Sequence, residues 1–259
     1  KNEMSRVKEK KEPRKRLAVE GQIMDFADWV VAPSPWEKER MISYHQAQPE
    51  KIKVIPCGVD LQLFKPLCSL KAKKFLGLLE KKFILFVGRI DAIKGIDVLI
   101  RAVHHLTCKA SRTNQELGLI IVGGERDEDP QMESQEMQRL RKMVAQMKLE
   151  RRVAFWGSQR QDLLPYFYSA AEALVLPSRY ESFGMVALEA MACGKPIISF
   201  ALGGVKELLK DIAPKLLVPP HNWGQFIDKI YEFLSDKELR DTVGLTLRQR
   251  AAQYFNWDR

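Results

Sequence analysis

The chain of 259 residues is short of the residue types that build metal, thiol and triad chemistry. It has only four cysteines, at 57, 68, 108 and 193, and only four histidines. No Cys-Xaa-Xaa-Cys pair occurs, and no Cys/His cluster has the spacing of zinc ligands. The cysteines therefore read as reduced packing residues, Cys193 above all, because it sits in an apolar helical stretch. His104 and His105 fall together in a helical pattern, and His45 and His221 in linker-like stretches, so no Ser/His/Asp or Cys/His arrangement emerges. Long hydrophobic runs are also missing. The longest, such as 83–87, are strand-sized and far from the roughly 20 residues of a membrane-spanning helix. The first 16 residues are charged and lack the apolar core of a signal peptide, which points to a soluble, cytoplasmic protein. Neither a Gly-Xaa-Gly-Xaa-Xaa-Gly fingerprint nor a P-loop is present, which disfavours a nicotinamide dehydrogenase and a P-loop NTPase.

What is present is ordinary globular composition, 46% hydrophobic and 29% charged, with a formal net charge of +9. Residues 1–16 hold eight Lys/Arg against three Glu and so carry more than half of that excess. Such a segment is either a solvated end or an attractor for an anionic acceptor or a membrane surface. Nucleic acid is the weakest of these readings, since 1–16 has no aromatic residue and no nucleic-acid-binding motif follows.

Short apolar runs at 29–32, 53–55, 83–87, 119–122, 153–155, 173–176, 196–199 and 215–218 predict strands, several of them apolar on both faces. Between them, 16–26, 36–46, 96–106, 137–147 and 185–193 read as helices. This alternation predicts an α/β fold, a doubly wound parallel sheet with helices on both faces. Gly88, Gly123–Gly124, Gly157 and Gly203–Gly204 each follow a strand candidate. Ligands of such sheets bind beyond the carboxyl ends of the strands, so the chemistry belongs in those loops. Pro49, Pro56, Gly58 and Pro66 mark a linker over 51–66, and 1–50 is too short to make a core alone.

Three loops carry candidate chemistry. In Gly88-Arg89-Ile90-Asp91-Ala92-Ile93-Lys94-Gly95 a strand runs into a helix start flanked by two cations, a combination suited to a diphosphate. In Glu181-Ser182-Phe183-Gly184-Met185-Val186-Ala187-Leu188-Glu189, the second carboxylate lies among apolar residues and needs a partner, either a ribose diol or a nearby Lys or Arg. Gly203-Gly204 lets backbone approach a ligand closely or forms a plain turn. Glu125, Asp127, Glu128 and Asp129 form an acidic loop, which reads as solvated rather than metal-binding.

Together the segments 54–60, 88–95, 123–124, 176–178, 181–196 and 203–207 resemble, in order, the retaining GT-B glycosyltransferases of family 4, or group 1, loosely the branch of the sucrose-phosphate synthases and D-inositol-3-phosphate glycosyltransferases. The resemblance implies a Rossmann-like donor domain over 67–240, a remnant of the acceptor-side domain over 1–50, and the start of a closing helix over 241–259. It implies catalytic roles for Arg89, Lys94 and Glu181: the two cations would hold and stabilise the leaving diphosphate. Glu181 and the backbone of Phe183, Gly184, Met185 and Val186 would hold the donor sugar. Glu189 would bind the ribose, Gly88 would let the chain approach the donor, and Gln159 would lie near the base. The implied activity is transfer of a sugar from a nucleoside-diphosphate sugar, with UDP the leading nucleotide, to an acceptor the sequence does not name. Such enzymes usually use neither cofactor nor metal. The acceptor-side domain, with its histidine near the reacting sugar, is largely missing from this sequence. A non-catalytic nucleotide-sugar-binding or partner-docking module is the alternative.

Overall fold

The computed structural model describes residues 14–79, 81–109, 117–124, 134–209, 211–212 and 214–257. Most of the basic leader and the whole acidic loop 125–129 lie outside the described residues. The chain divides into two compact units, Lys1–Pro56 and Cys57–Arg259.

The first unit contains α1 (Arg14–Phe26), β1 (Val30–Ala32), α2 (Pro35–His45) and β2 (Ile52–Val54). The strands pair in parallel, Val30 with Ile52 through Ala32 with Val54. Helix α2 starts where Ser34 accepts a hydrogen bond from the Glu37 N–H, with Pro35 pre-set in the first turn. The core is small: Ala32, Ala47 and Ile52, with Met24, Val30, Met41 and Ile42 against it. Phe26, Trp29, Val31 and Ile55 are all more than half exposed. Parallel sheets are normally covered on both faces, whereas these two strands leave apolar side chains exposed.

The second unit is built on a six-stranded parallel sheet. Its elements are α3 (Ser69–Phe75), β3 (Lys82–Val87), α4 (Ile96–Lys109), β4 (Leu117–Val122), α5 (Gln135–Gln146), β5 (Val153–Phe155), α6 (Leu164–Ala170), β6 (Ala173–Leu176), α7 (Met185–Ala192), β7 (Ile197–Phe200), α8 (Gly203–Leu209), β8 (Leu217–Val218), α9 (Trp223–Ser235) and α10 (Lys237–Tyr254). Strand order is β5-β4-β3-β6-β7-β8. β3, β6 and β7 bury every residue but Lys82, which is why their sequences are apolar without alternation. Helix α7 buries all but its first two residues and lies in the middle of the core.

Every strand expected from the sequence is present, two with the expected bounds and the others with ends shifted by one or two residues. Helices α3, α6, α8 and α9 were not resolved from the sequence as separate elements. Gly203 and Gly204, read there as a turn or a ligand approach, open helix α8. The helix placed over 241–259 runs instead as α10 from Lys237, capped by Asp236, and stops at Tyr254. Beyond it the Phe255 carbonyl accepts from the Val59 N–H at 2.7 Å and Asn256 bridges Val59 in parallel. The cysteine reading needs correction. All four thiols are free, but Cys68 and Cys108 are exposed and only Cys193 is buried.

Candidate functional site

Strand order reverses between β3 and β6, the first and the fourth strand of the six-stranded sheet in chain order. At such a switch point the loops leaving adjacent strands diverge and open a crevice at their carboxyl ends. The loops after β3 and β6 carry Gly88–Gly95 and the run from Pro177 to Gly184, so the topology brings the first two sequence constellations together.

Each loop is pinned locally. Gly88 donates to the Val122 carbonyl at 3.0 Å, and Gly123 to that of Gly157 at 2.8 Å, which ties the turns after β3, β4 and β5 into one row. The Asp91 carboxylate accepts from the Ile93 N–H at 2.9 Å and caps a 3₁₀ turn over Ala92–Lys94. Asp91 is thereby occupied in shaping the loop. Gly95 follows at φ 68°, and a Cβ there would stand 2.4 Å from the Pro177 carbonyl oxygen, so glycine is required for the two loops to touch. From the other side the Arg179 N–H donates to the Ile93 carbonyl at 2.8 Å, and its guanidinium donates to the Ala92 carbonyl. That guanidinium also lies 3.7 Å from Asp97, whose Oδ1 is buried without a hydrogen bond.

The result is direct contact between the two constellations. Lys94 Nζ donates to Glu181 Oε2 at 2.6 Å, with both side chains about 15% exposed. Arg89 is exposed at the mouth, and among the described residues it has no partner within ion-pair distance. The backbone of Glu181 is fixed by Gly204, whose N–H donates to the Glu181 carbonyl at 2.9 Å. The glycine pair thus serves the site by close approach to its loop, since a Cβ at Gly204 would lie 2.3 Å from the Phe183 Cα. Phe183 turns its ring into the core, edge-on to Phe255 at 6.3 Å, leaving only backbone for a ligand. Gly184, at φ 95°, starts α7 without a side-chain cap, so the first N–H groups of that helix lack a capping acceptor. Met185 and Val186 sit on this first turn, exposed and half-buried. Gln159, also half-buried, donates to the Trp156 carbonyl at 2.6 Å.

Glu189 is buried, 8% exposed, in α7. Of the two partners the sequence left open, no Lys or Arg among the described residues lies within ion-pair distance. Instead the Tyr168 hydroxyl donates to Glu189 Oε2 at 2.7 Å. Tyr168 has no sequence signal, since it comes from α6, 21 residues earlier. Burial raises the Glu189 pKa, and the Tyr168 hydrogen bond offsets only part of that. The Tyr168 phenol is itself pushed well up by burial and by the neighbouring carboxylate. Because the native state binds the Glu189 proton more tightly than the unfolded chain, this group's contribution to stability falls as pH rises. The loss begins in the ordinary carboxyl range and is complete above the raised native value. Glu189→Gln keeps the Tyr168 bond without the charge. Its stability relative to wild type should therefore improve as pH rises from the ordinary carboxyl range toward neutrality in urea titrations. A constant difference across that range would mean that Glu189 is not destabilised by its charge.

Among the described residues no three His, Cys, Asp or Glu side chains converge to hold a metal ion. No described helix is long and apolar enough to cross a membrane.

Residues 70–250 match the family Glycosyl transferases group 1. The chain belongs to this family. Residues 3–63 also match Glycosyltransferase Family 4. Among relatives of this group 1 glycosyltransferase chain is the D-inositol 3-phosphate glycosyltransferase of Salinispora arenicola (strain CNS-205), 33% identical over 100% of the chain and 58% of the relative. The sucrose-phosphate synthase from Thermosynechococcus elongatus superimposes with a TM-score of 0.82 at 35% identity, over 97% of this chain and 60% of that one. Anabaena HepE, in complex with UDP and glucose, does so with a TM-score of 0.81 at 25% identity, over 94% and 63%. The group 1 chain thus spans somewhat over half the length of the relatives it matches.

Proposed function

We propose that this chain is the donor-binding half of a retaining glycosyltransferase that moves a sugar from a UDP-sugar to an acceptor. One observation carries the reading: Lys94 and Glu181 meet at 2.6 Å at the switch point, beside the uncapped start of the helix that buries Glu189. The diphosphate would lie against the helix start with Arg89 and Lys94 on its oxygens. Two cations and oriented N–H groups lower the energy of the charge that accumulates on the leaving phosphate, most strongly where water is excluded. Glu181 and the N–H groups following Phe183 would receive the sugar hydroxyls. Glu189, buried and aligned by Tyr168, would accept from the ribose diol, and Gln159 would stand near the base. The bound UDP and glucose of the HepE relative support the nucleotide.

We extend the reading to the first unit. Its exposed Phe26, Trp29, Val31 and Ile55 would be covered by the acceptor-side domain, which the longer relatives have room for. Residues 1–50 would then be the last part of that domain, with 51–66 the linker to the donor domain.

Isothermal titration with UDP, GDP and ADP, with and without magnesium, tests the reading. UDP should bind in either condition and more tightly than the other two. Preference for GDP or ADP would move the donor class, and a folded sample that binds none would leave this chain a non-catalytic member of the family.

A further inference from the structure

The opposite pole of the second unit holds a feature that donor binding does not use. Glu172 and Lys195 stand just before β6 and β7, at the amino ends of strands whose carboxyl ends carry the donor-site loops. Between them and the start of α10 lies a cavity of about 110 Å³, lined among others by Ser69, Glu172, Lys195, Lys237, Arg240 and Asp241. A water molecule occupies about 30 Å³, so a group of several heavy atoms fits.

Charge in this cavity is unbalanced. Glu172 is shared by Lys73 at 3.2 Å and Arg240 at 2.9 Å, and all three side chains are no more than 14% exposed. Lys237 pairs with Asp241 at 2.6 Å at the rim, where both are mostly exposed. Lys195 is partly buried, and among the described residues no carboxylate is within ion-pair distance of its ammonium. Three cations, Lys195, Lys237 and Arg240, thus line the cavity against two carboxylates, and Lys73 behind Glu172 brings the cluster's surplus to two positive charges beside a space large enough for an anion. Burial pushes the Lys195 pKa down, and the cations Lys73 and Arg240 add to this against the opposing pull of Glu172 and Asp241. A shielded ammonium without a counter-ion costs free energy that an oxyanion in the cavity would offset.

We propose that this cavity is a second anion site, distinct from the donor crevice, that binds a phosphate group through Lys195, Arg240 and Lys237. The phosphate dianion would bring the two negative charges the cluster lacks. The two ammonium groups supply donors, the Arg240 guanidinium has N–H groups left beyond those it gives to Glu172 and to the Phe233 and Leu234 carbonyls, and the Ser69 hydroxyl can donate a further bond.

The test is titration of the whole chain with inorganic phosphate, comparing wild type with Lys195→Met and Lys195→Arg. Phosphate held by the donor crevice is common to all three proteins and cancels. Lys195→Met should lose binding by about tenfold or more, the scale of one charge-assisted bond, while Lys195→Arg stays within about threefold. Lys237→Glu, at a position 80% exposed and safe for folding, should weaken binding about as much as Lys195→Met. Equal phosphate affinity in wild type, Lys195→Met and Lys237→Glu would overturn the site. Sedimentation with phosphatidic acid vesicles separates the sources. Lys195-dependent pelleting identifies a lipid headgroup, and none identifies free phosphate or a soluble phosphate ester; pelleting that ignores Lys195 overturns the assignment to this cavity for lipids.

Discussion

Lys94→Ala should lower UDP affinity by about 10- to 150-fold, because a hydrogen bond to a charged group contributes about 1.5–3 kcal/mol. The companion variant decides what that loss means. Without ligand the Lys94 ammonium is held by Glu181 at 2.6 Å. A diphosphate bound as proposed would therefore compete with Glu181 for the same cation. Glu181→Gln keeps the shape of the side chain but removes the competing charge, so pyrophosphate and UDP should bind as well as to wild type or better. UDP-glucose should lose its advantage over UDP, since the acceptor for the sugar hydroxyls is weakened. Titration of the three ligands into both variants gives opposite signs for pyrophosphate if Lys94 is a diphosphate ligand. Equal losses of pyrophosphate affinity in the two variants would show that the pair only shapes the loop.

The largest expected change in stability comes from the addition of a single methyl group. Gly203 sits at φ 57°, and a Cβ there would stand 1.9 Å from the Glu181 carbonyl oxygen. Neither atom can yield cheaply, because both belong to backbone. That carbonyl is also the acceptor of the Gly204 N–H. Gly203→Ala should cost about 3 kcal/mol or more in urea unfolding and should abolish UDP binding along with it. Gly77 is the control. It has a similar φ of 68°, but nothing lies within 4 Å of its Cβ position. Gly77→Ala carries only the conformational penalty of about 1–2 kcal/mol, without loss of UDP binding. A similar cost at both positions would mean that the contact with Glu181 is unimportant and that backbone conformation alone sets the effect.

The effect at Gly203 also shows why its role was not legible in the sequence. A Gly-Gly pair after an apolar run reads equally well as a turn, a helix start or a ligand approach. Which of these it is depends on what stands across from it, and the Glu181 loop is supplied by a different strand. Tyr168 is a similar case. The carboxylate of Glu189 announced a need for a partner by its apolar neighbours, but a hydroxyl from another helix has no local pattern. Helix α9 is a different kind of omission. Phe226, Ile230 and Phe233 recur at helical spacing and are buried, so the signal was there to be read.

The sequence alone determined the strands of the sheet and the loops that hold chemistry. A strand buried on both faces must be apolar throughout, and a loop at its end must bend sharply, so both leave marks within a few residues of each other. Periodicity, glycine and isolated charge are local quantities. The tertiary structure decided which marks meet. The order β5-β4-β3-β6-β7-β8 sets the loops of β3 and β6 side by side, so Lys94 reaches Glu181 across 87 residues of chain. It also gathered Lys73, Lys195 and Arg240 around Glu172 at the other pole. Pairing across a sheet is set by the packing of whole strands and helices, and no short stretch of sequence encodes it.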